Sequence, residues 1–159
     1  MTGSAAAHML PGVGSLAVLI NIILALITLY LYVKAGGRFY RREEPFLGLL
    51  AAAVIFDVIT AFLASFKVTP TTVLAGPHLP PWGSPVFLLH ITTSTLGMFG
   101  YIAVLLALLI KGKDRPWDKM RKFQFRILLP CWVIGEVIAL TNAIVKLVFQ
   151  VRIYDRIRF

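Results

Sequence analysis

Charge is what this sequence has least of. Of its 159 residues, 14% are Asp, Glu, Lys or Arg and 58% are hydrophobic. Ordinary soluble domains carry roughly 25% charged residues. A soluble chain this short exposes much of its surface and needs polar residues to cover it. The deficit therefore excludes a small soluble globular domain. It excludes a disordered chain as well, because disorder requires low hydrophobicity. A nucleic-acid binder is excluded too, despite a net charge of +9. Cysteine is nearly absent: the single Cys131 rules out an internal disulfide framework and, in its apolar context, reads as packing. Walker A, GxGxxG, HExxH, GxSxG and CxxCH motifs are all missing, and no nucleophile stands at motif spacing from a base.

What is present is four long apolar blocks, at residues 13–33, 46–66, 86–110 and 127–149. At about 1.5 Å per residue each spans roughly 31 to 38 Å, enough for a bilayer core of about 30 Å. Backbone polar groups in lipid must be satisfied within the segment, so the blocks are predicted as helices. The expected fold class is an all-α, polytopic membrane protein: one four-transmembrane-helix bundle over residues 1–159, with a stiff outer loop at 67–85. Block one is too long for a removable signal peptide, and no positive charge precedes it. Pro11, Pro45, Pro85 and Pro130 stand where prolines open helices.

The connections hold the charge. Residues 34–44 carry four basic and two acidic side chains, and residues 111–126 carry seven basic and two acidic. The positive-inside rule places loops 34–45 and 111–126 in the cytoplasm, with both termini and the 67–85 loop outside, in a prokaryotic plasma membrane. The tail, with Arg152, Arg156 and Arg158, runs against that rule. It is either outweighed by the inner loops or docked on anionic lipid or an acidic partner. Anionic lipid is also the expected partner of the basic loops.

Three formal charges lie inside the blocks: Asp57, Glu136 and Lys146. Asp57 and Glu136 both fall roughly 14 to 17 Å deep, where a lipid-facing charge costs several kcal/mol. They are candidates for proton handling, for helix-fixing hydrogen bonds, or for contact with another subunit. Asn21, Asn142 and Lys146 form a polar layer nearer the outer side. Small and polar residues share single helix faces: Ala17, Asn21, Ala25, Thr28; then His90, Ser94, Gly97, Tyr101; then Gly135, Ala139, Asn142, Lys146. Such stripes pack helices in membranes. The three histidines, His8, His78 and His90, all fall toward the outer face, where imidazole could hold haem, copper or zinc. A haem held by two membrane histidines would need a second one, and none exists.

Three local stretches carry a resemblance: LPGVGSLAVLIN at 10–21, HITTSTLG at 90–97 and ILLPCWVIGEV at 127–137. In these the chain resembles the domain-of-unknown-function 420 family of small four-helix membrane proteins, which are associated with haem-copper oxidase gene clusters. The matching positions are Pro11, Asn21, His90, Pro130 and Trp132. The family's additional histidines are replaced here by Lys and Arg over residues 111–126. The resemblance implies a small accessory or assembly subunit of a membrane respiratory or electron-transfer complex, partnered by other integral membrane subunits. Two other functions stay open. One is a haem-, quinone- or metal-binding redox protein built on His90. The other is a proton-coupled small transporter built on Asp57 and Glu136.

Overall fold

The computed structural model describes residues 11–65, 83–149 and 151–157. Their regular structure is all helical, with no strand among them. The helices are α1 (Pro11–Arg41), α2 (Leu47–Ser65), α3 (Pro85–Lys111), α4 (Asp118–Phe123), α5 (Leu129–Phe149) and the short α6 (Ile153–Arg156). Three helical stretches are long and apolar enough to cross a membrane: Val18–Arg41, Pro85–Lys111 and Asp118–Phe149. A shorter apolar stretch, Leu47–Phe62, lies in α2.

Local chemistry sets the ends. Ser84 caps α3, its hydroxyl accepting from the Phe87 N–H at 3.4 Å, and Pro85 opens the first turn, where its missing N–H costs nothing. Gly112, at φ 83°, closes it. By contrast α1 runs on past its apolar block to Arg41. Ala35 and Phe39 are still buried there, and Arg38 and Arg41 in the last turn favour the negative helix end.

The segment 111–126, expected as a connecting loop, is loop only to Trp117. From Asp118 the chain is helical without interruption: α4, a π-helical turn at Gln124–Leu128, then α5. Pro130 is therefore not a helix entry. It sits inside a continuous helix and supplies no N–H. The π turn directly before it, in which the Leu129 N–H bonds the Gln124 carbonyl, takes up the disrupted ladder.

The four long helices form a ring, α1 against α2 and α5, and α3 against α5 and α2. The core lies toward the end where α1 stops and α2 starts, called here the basic end. It is built from Tyr32 and Phe39 on α1, Leu50 and Val54 on α2, Tyr101 and Leu108 on α3, and Leu128 and Trp132 from the last long helix. Close helix approach requires Gly97 and Gly135, where a Cβ would meet backbone. One on Gly97 would stand 2.5 Å from the Trp132 Cβ and 2.9 Å from its Cα, and one on Gly135 would stand 2.8 Å from the Ser94 backbone nitrogen. Toward the opposite end the packing thins on α2 and α5, while Val18 and Ala25 of α1, Ser84 and Tyr154 stay buried. Among the described side chains, α2 has no buried residue beyond Asp57 and α5 has none beyond Gly135. The outer surface of the ring is apolar, with Ile23, Leu26, Tyr30, Phe62, Phe99 and Leu109 all exposed.

Candidate functional site

Asp57 lies at the centre of the ring, 9% exposed. Its Oδ2 accepts two hydrogen bonds, one from the Tyr32 hydroxyl and one from the Trp132 indole N–H, each at 3.0 Å. The donors come from α1 and α5, so one carboxyl oxygen of α2 ties three helices together. The Tyr32 ring stacks on Tyr101 with centroids 4.2 Å apart and leans on Trp132 at 4.5 Å. The hydroxyl of Tyr101 accepts from Gln124 Nε2 at 2.9 Å. All four helices of the ring thus enter one network of a carboxyl, two phenols, an indole and an amide. Buried polar groups of this kind fix a unique packing when they are matched.

Glu136 sits one turn beyond Trp132 on the same face of α5 and is half-buried. It lies within Coulombic range of Asp57. No hydrogen bond joins the two carboxyls, and Glu136 makes none to any described residue. Asn21 and Lys146 are half-buried and likewise show no hydrogen bond there.

His90 belongs to a second cluster toward the opposite end. Its Nδ1 is 3.0 Å from the Gly135 carbonyl and 3.2 Å from Ser94 Oγ. A carbonyl can only accept, so the first contact requires the proton on Nδ1. Nε2 is then left with its lone pair. Tyr154 of α6 lies over the imidazole at 6.1 Å and meets Phe87 edge-on at 5.2 Å. Asn142 Oδ1 accepts from the Ile153 N–H at 3.1 Å, which caps α6 from α5. The start of the basic tail therefore folds back on α3 and α5 of its own chain. Burial pushes the Tyr154 phenol up to about 12. Cys131 faces the Thr93 carbonyl at 3.9 Å, a packing position.

The basic end carries three ion pairs: Arg42 with Asp118, Lys113 with Glu44 at 2.8 Å, and Arg41 with Glu43 at 2.8 Å. Lys113 holds the Glu44 carboxyl below the usual carboxylate range, and Arg41 does the same to Glu43. Arg42, Glu44, Lys113, Trp117, Asp118 and Arg121 line a cleft of about 390 Å³. Arg121 leans into the bundle: Nη1 donates to the Phe39 carbonyl at 3.1 Å, and its guanidinium lies 5.0 Å over the Phe39 ring.

Among the residues singled out from sequence, Glu136 stands one turn beyond the Trp132 that bonds Asp57, and Asn142 is joined to the tail. His8 and His78 lie outside the described residues. Among the described residues no group of three or more His, Cys, Asp or Glu could hold a metal ion. Two members of the network had no place in the sequence reading. Tyr32 is one turn further along the stripe of Asn21, Ala25 and Thr28, so extending that stripe would have found it. Gln124 lies among basic residues in a stretch read as loop, and no sequence signal marks it. No protein-family model, curated protein or solved structure matches the chain.

Proposed function

We propose that the chain is a multi-pass protein of a prokaryotic plasma membrane, acting as a small accessory or assembly subunit of a respiratory or electron-transfer complex. α2 joins the three longer helices as the fourth span; its 19 residues cover about 28 Å, close to the bilayer core. The basic end faces the cytoplasm by the positive-inside rule. The observation that carries the subunit reading is the set of unmatched polar groups in the loosely packed half. Glu136, Asn21 and Lys146 find no hydrogen bond among the described residues, although polar groups at bilayer depth are costly without partners. Neighbouring membrane subunits supply those partners. This is also the role that the resemblance to the domain-of-unknown-function 420 family implies. Lys111, Lys119, Lys122 and Arg126, none of them in an ion pair among the described residues, offer anionic headgroups a basic rim beside exposed Phe123 and Ile127. Gentle extraction followed by native electrophoresis tests the proposal. The chain co-migrates with larger membrane subunits, whereas a lone monomer under every mild condition overturns it.

A second reading, proton-coupled transport, is favoured by one observation: Asp57 and Glu136 stand within Coulombic range at the boundary between the tight and the loose half. Reconstituted flux that is unchanged in Asp57→Asn/Glu136→Gln ends that reading. The redox reading has less support, because His90 belongs to no group of three or more His, Cys, Asp or Glu among the described residues. Absorption spectra and metal analysis of the purified protein decide it.

A further inference from the structure

The cleft at the basic end holds more positive charge than its ion pairs use. Its cationic lining is Arg42, Lys113, Arg115 and Arg121, and its acidic lining is Glu44, Asp114 and Asp118. Arg42 pairs with Asp118 and Lys113 with Glu44, so both pairs tie the α1–α2 connection to the chain that follows α3. Arg115 and Asp114 are neighbours in the chain, both exposed, and their charges offset each other. Arg121 is left over, with Arg42 as well as Asp118 within Coulombic range. The lining therefore carries one positive charge in excess.

The guanidinium of Arg121 is fixed in place. Its Nη1 donates to the Phe39 carbonyl, and its plane lies over the Phe39 ring. Its Nε is buried without a partner, and Gln124 Oε1, one turn further on, does not bond it. In a guanidinium, Nε–H and Nη2 share one edge, the fork that takes two oxygens of an oxyanion side-on. That edge carries no bond to any described residue. The cleft also stands at the edge of the apolar surface. Exposed Leu109 and Ile110 end the apolar run of α3 just before it, and the Trp117 ring, its N–H held by the Gly112 carbonyl, lines it. Tryptophan in such a place marks the level of the headgroups.

We propose that this cleft binds the phosphodiester of an anionic phospholipid, with Arg121 holding the phosphate side-on and the acyl chains passing exposed Leu109 and Ile110. A phosphodiester brings the single negative charge that balances the lining, and about 390 Å³ is the size of a small-ligand site. The basic rim of Lys111, Lys119, Lys122 and Arg126 attracts any anionic surface through space. The cleft differs in presenting a fork at a fixed position. The inference rests on the reading that the long helices cross a membrane.

Titration of phosphatidylglycerol into the full-length protein in mild detergent, with bound copies counted by native mass spectrometry, tests it. One copy binds more tightly than the rest. Phosphatidylcholine, which has the phosphodiester but no net charge, does not replace that copy, and neither does glycerophosphoglycerol, the headgroup without chains. Arg121→Lys keeps the charge but not the fork, and it weakens the tight copy about tenfold, as does Arg121→Gln. The double variant Lys119→Gln/Lys122→Gln weakens it much less. Four results overturn the proposal: no copy tighter than the rest, equal binding of phosphatidylcholine, unchanged binding in both folded Arg121 variants, or a loss in Lys119→Gln/Lys122→Gln as large as theirs. Displacement by glycerophosphoglycerol overturns the lipid as the source and assigns the site to a soluble phosphodiester. A chain recovered from cells without detergent ends the membrane reading and this inference with it, a result distinct from failed lipid selection.

Discussion

The two halves of this bundle are built from the same four helices and the same apolar vocabulary, yet they differ in how their polar groups are treated. In the basic half Tyr32, Tyr101 and Trp132 are all but inaccessible, and the Asp57 oxygen accepts from two of them. In the opposite half the described side chains of α2 and α5 are at most half-buried, and Glu136, Asn21 and Lys146 lack hydrogen bonds within the described chain. The first half matches most of its polar groups internally, Arg121 Nε and Gln124 Oε1 excepted. The second leaves polar groups that, on the proposed subunit role, neighbouring membrane subunits would match. A membrane bundle has little hydrophobic force between its helices, so close packing and matched polar groups decide where it is firm.

The contrast can be broken most forcefully at glycine. Gly97→Val places new atoms against the Trp132 side chain and backbone, and overpacking there destabilises by about 3 kcal/mol. Gly48→Ala meets nothing within 4 Å and stabilises α2 by about 0.5 to 1 kcal/mol. Thermal unfolding in detergent checks both signs. Next in size is Trp132→Phe, which keeps an aromatic side chain but removes one of the two Asp57 donors and leaves a small cavity, and costs about 2 to 3 kcal/mol. Glu136→Gln in the isolated chain shifts stability by less than about 0.5 kcal/mol. Equal losses in these two variants would erase the distinction between the halves.

A smaller effect is expected at the tail. Asn142→Ala removes the acceptor of the Ile153 N–H, a cap worth about 1 kcal/mol. Proteolysis of the tail accelerates, while global unfolding barely moves. The smallest effect belongs to the exposed ion pairs. Lys113 lowers the Glu44 carboxyl, so that contribution is present above the ordinary carboxylate range and fades as pH falls through the depressed value. A shallow loss of thermal stability at low pH and low salt, absent in Glu44→Gln, is the expected signature.

Much of the helix pattern could be read directly from residues. Expected at 86–110, α3 spans Pro85–Lys111, because Ser84, Pro85 and Gly112 are local stop and start signals. The end of α1 was harder: charged residues leave the bilayer but need not leave the helix, and Phe39 holds it in place. Pro130 misleads because its usual place is a helix start, whereas here a π turn lets the helix pass through it. Asp57 stands out as a lone charge in an apolar block, but its partners do not. The partners of one carboxyl oxygen lie on other helices, and no spacing within α2 encodes them. The tail was read as either outweighed by the inner loops or docked on lipid or a partner; neither reading anticipates that Tyr154 seats its start on α3 and α5.

Amide hydrogen exchange tests the central claim most directly, comparing residues 124–135 with residues 136–149 of the same continuous helix. In the isolated protein the account predicts strong protection before Glu136 and markedly weaker protection after it. In the native membrane assembly the second stretch becomes as protected as the first. Uniform protection of both stretches in the isolated chain would contradict the account.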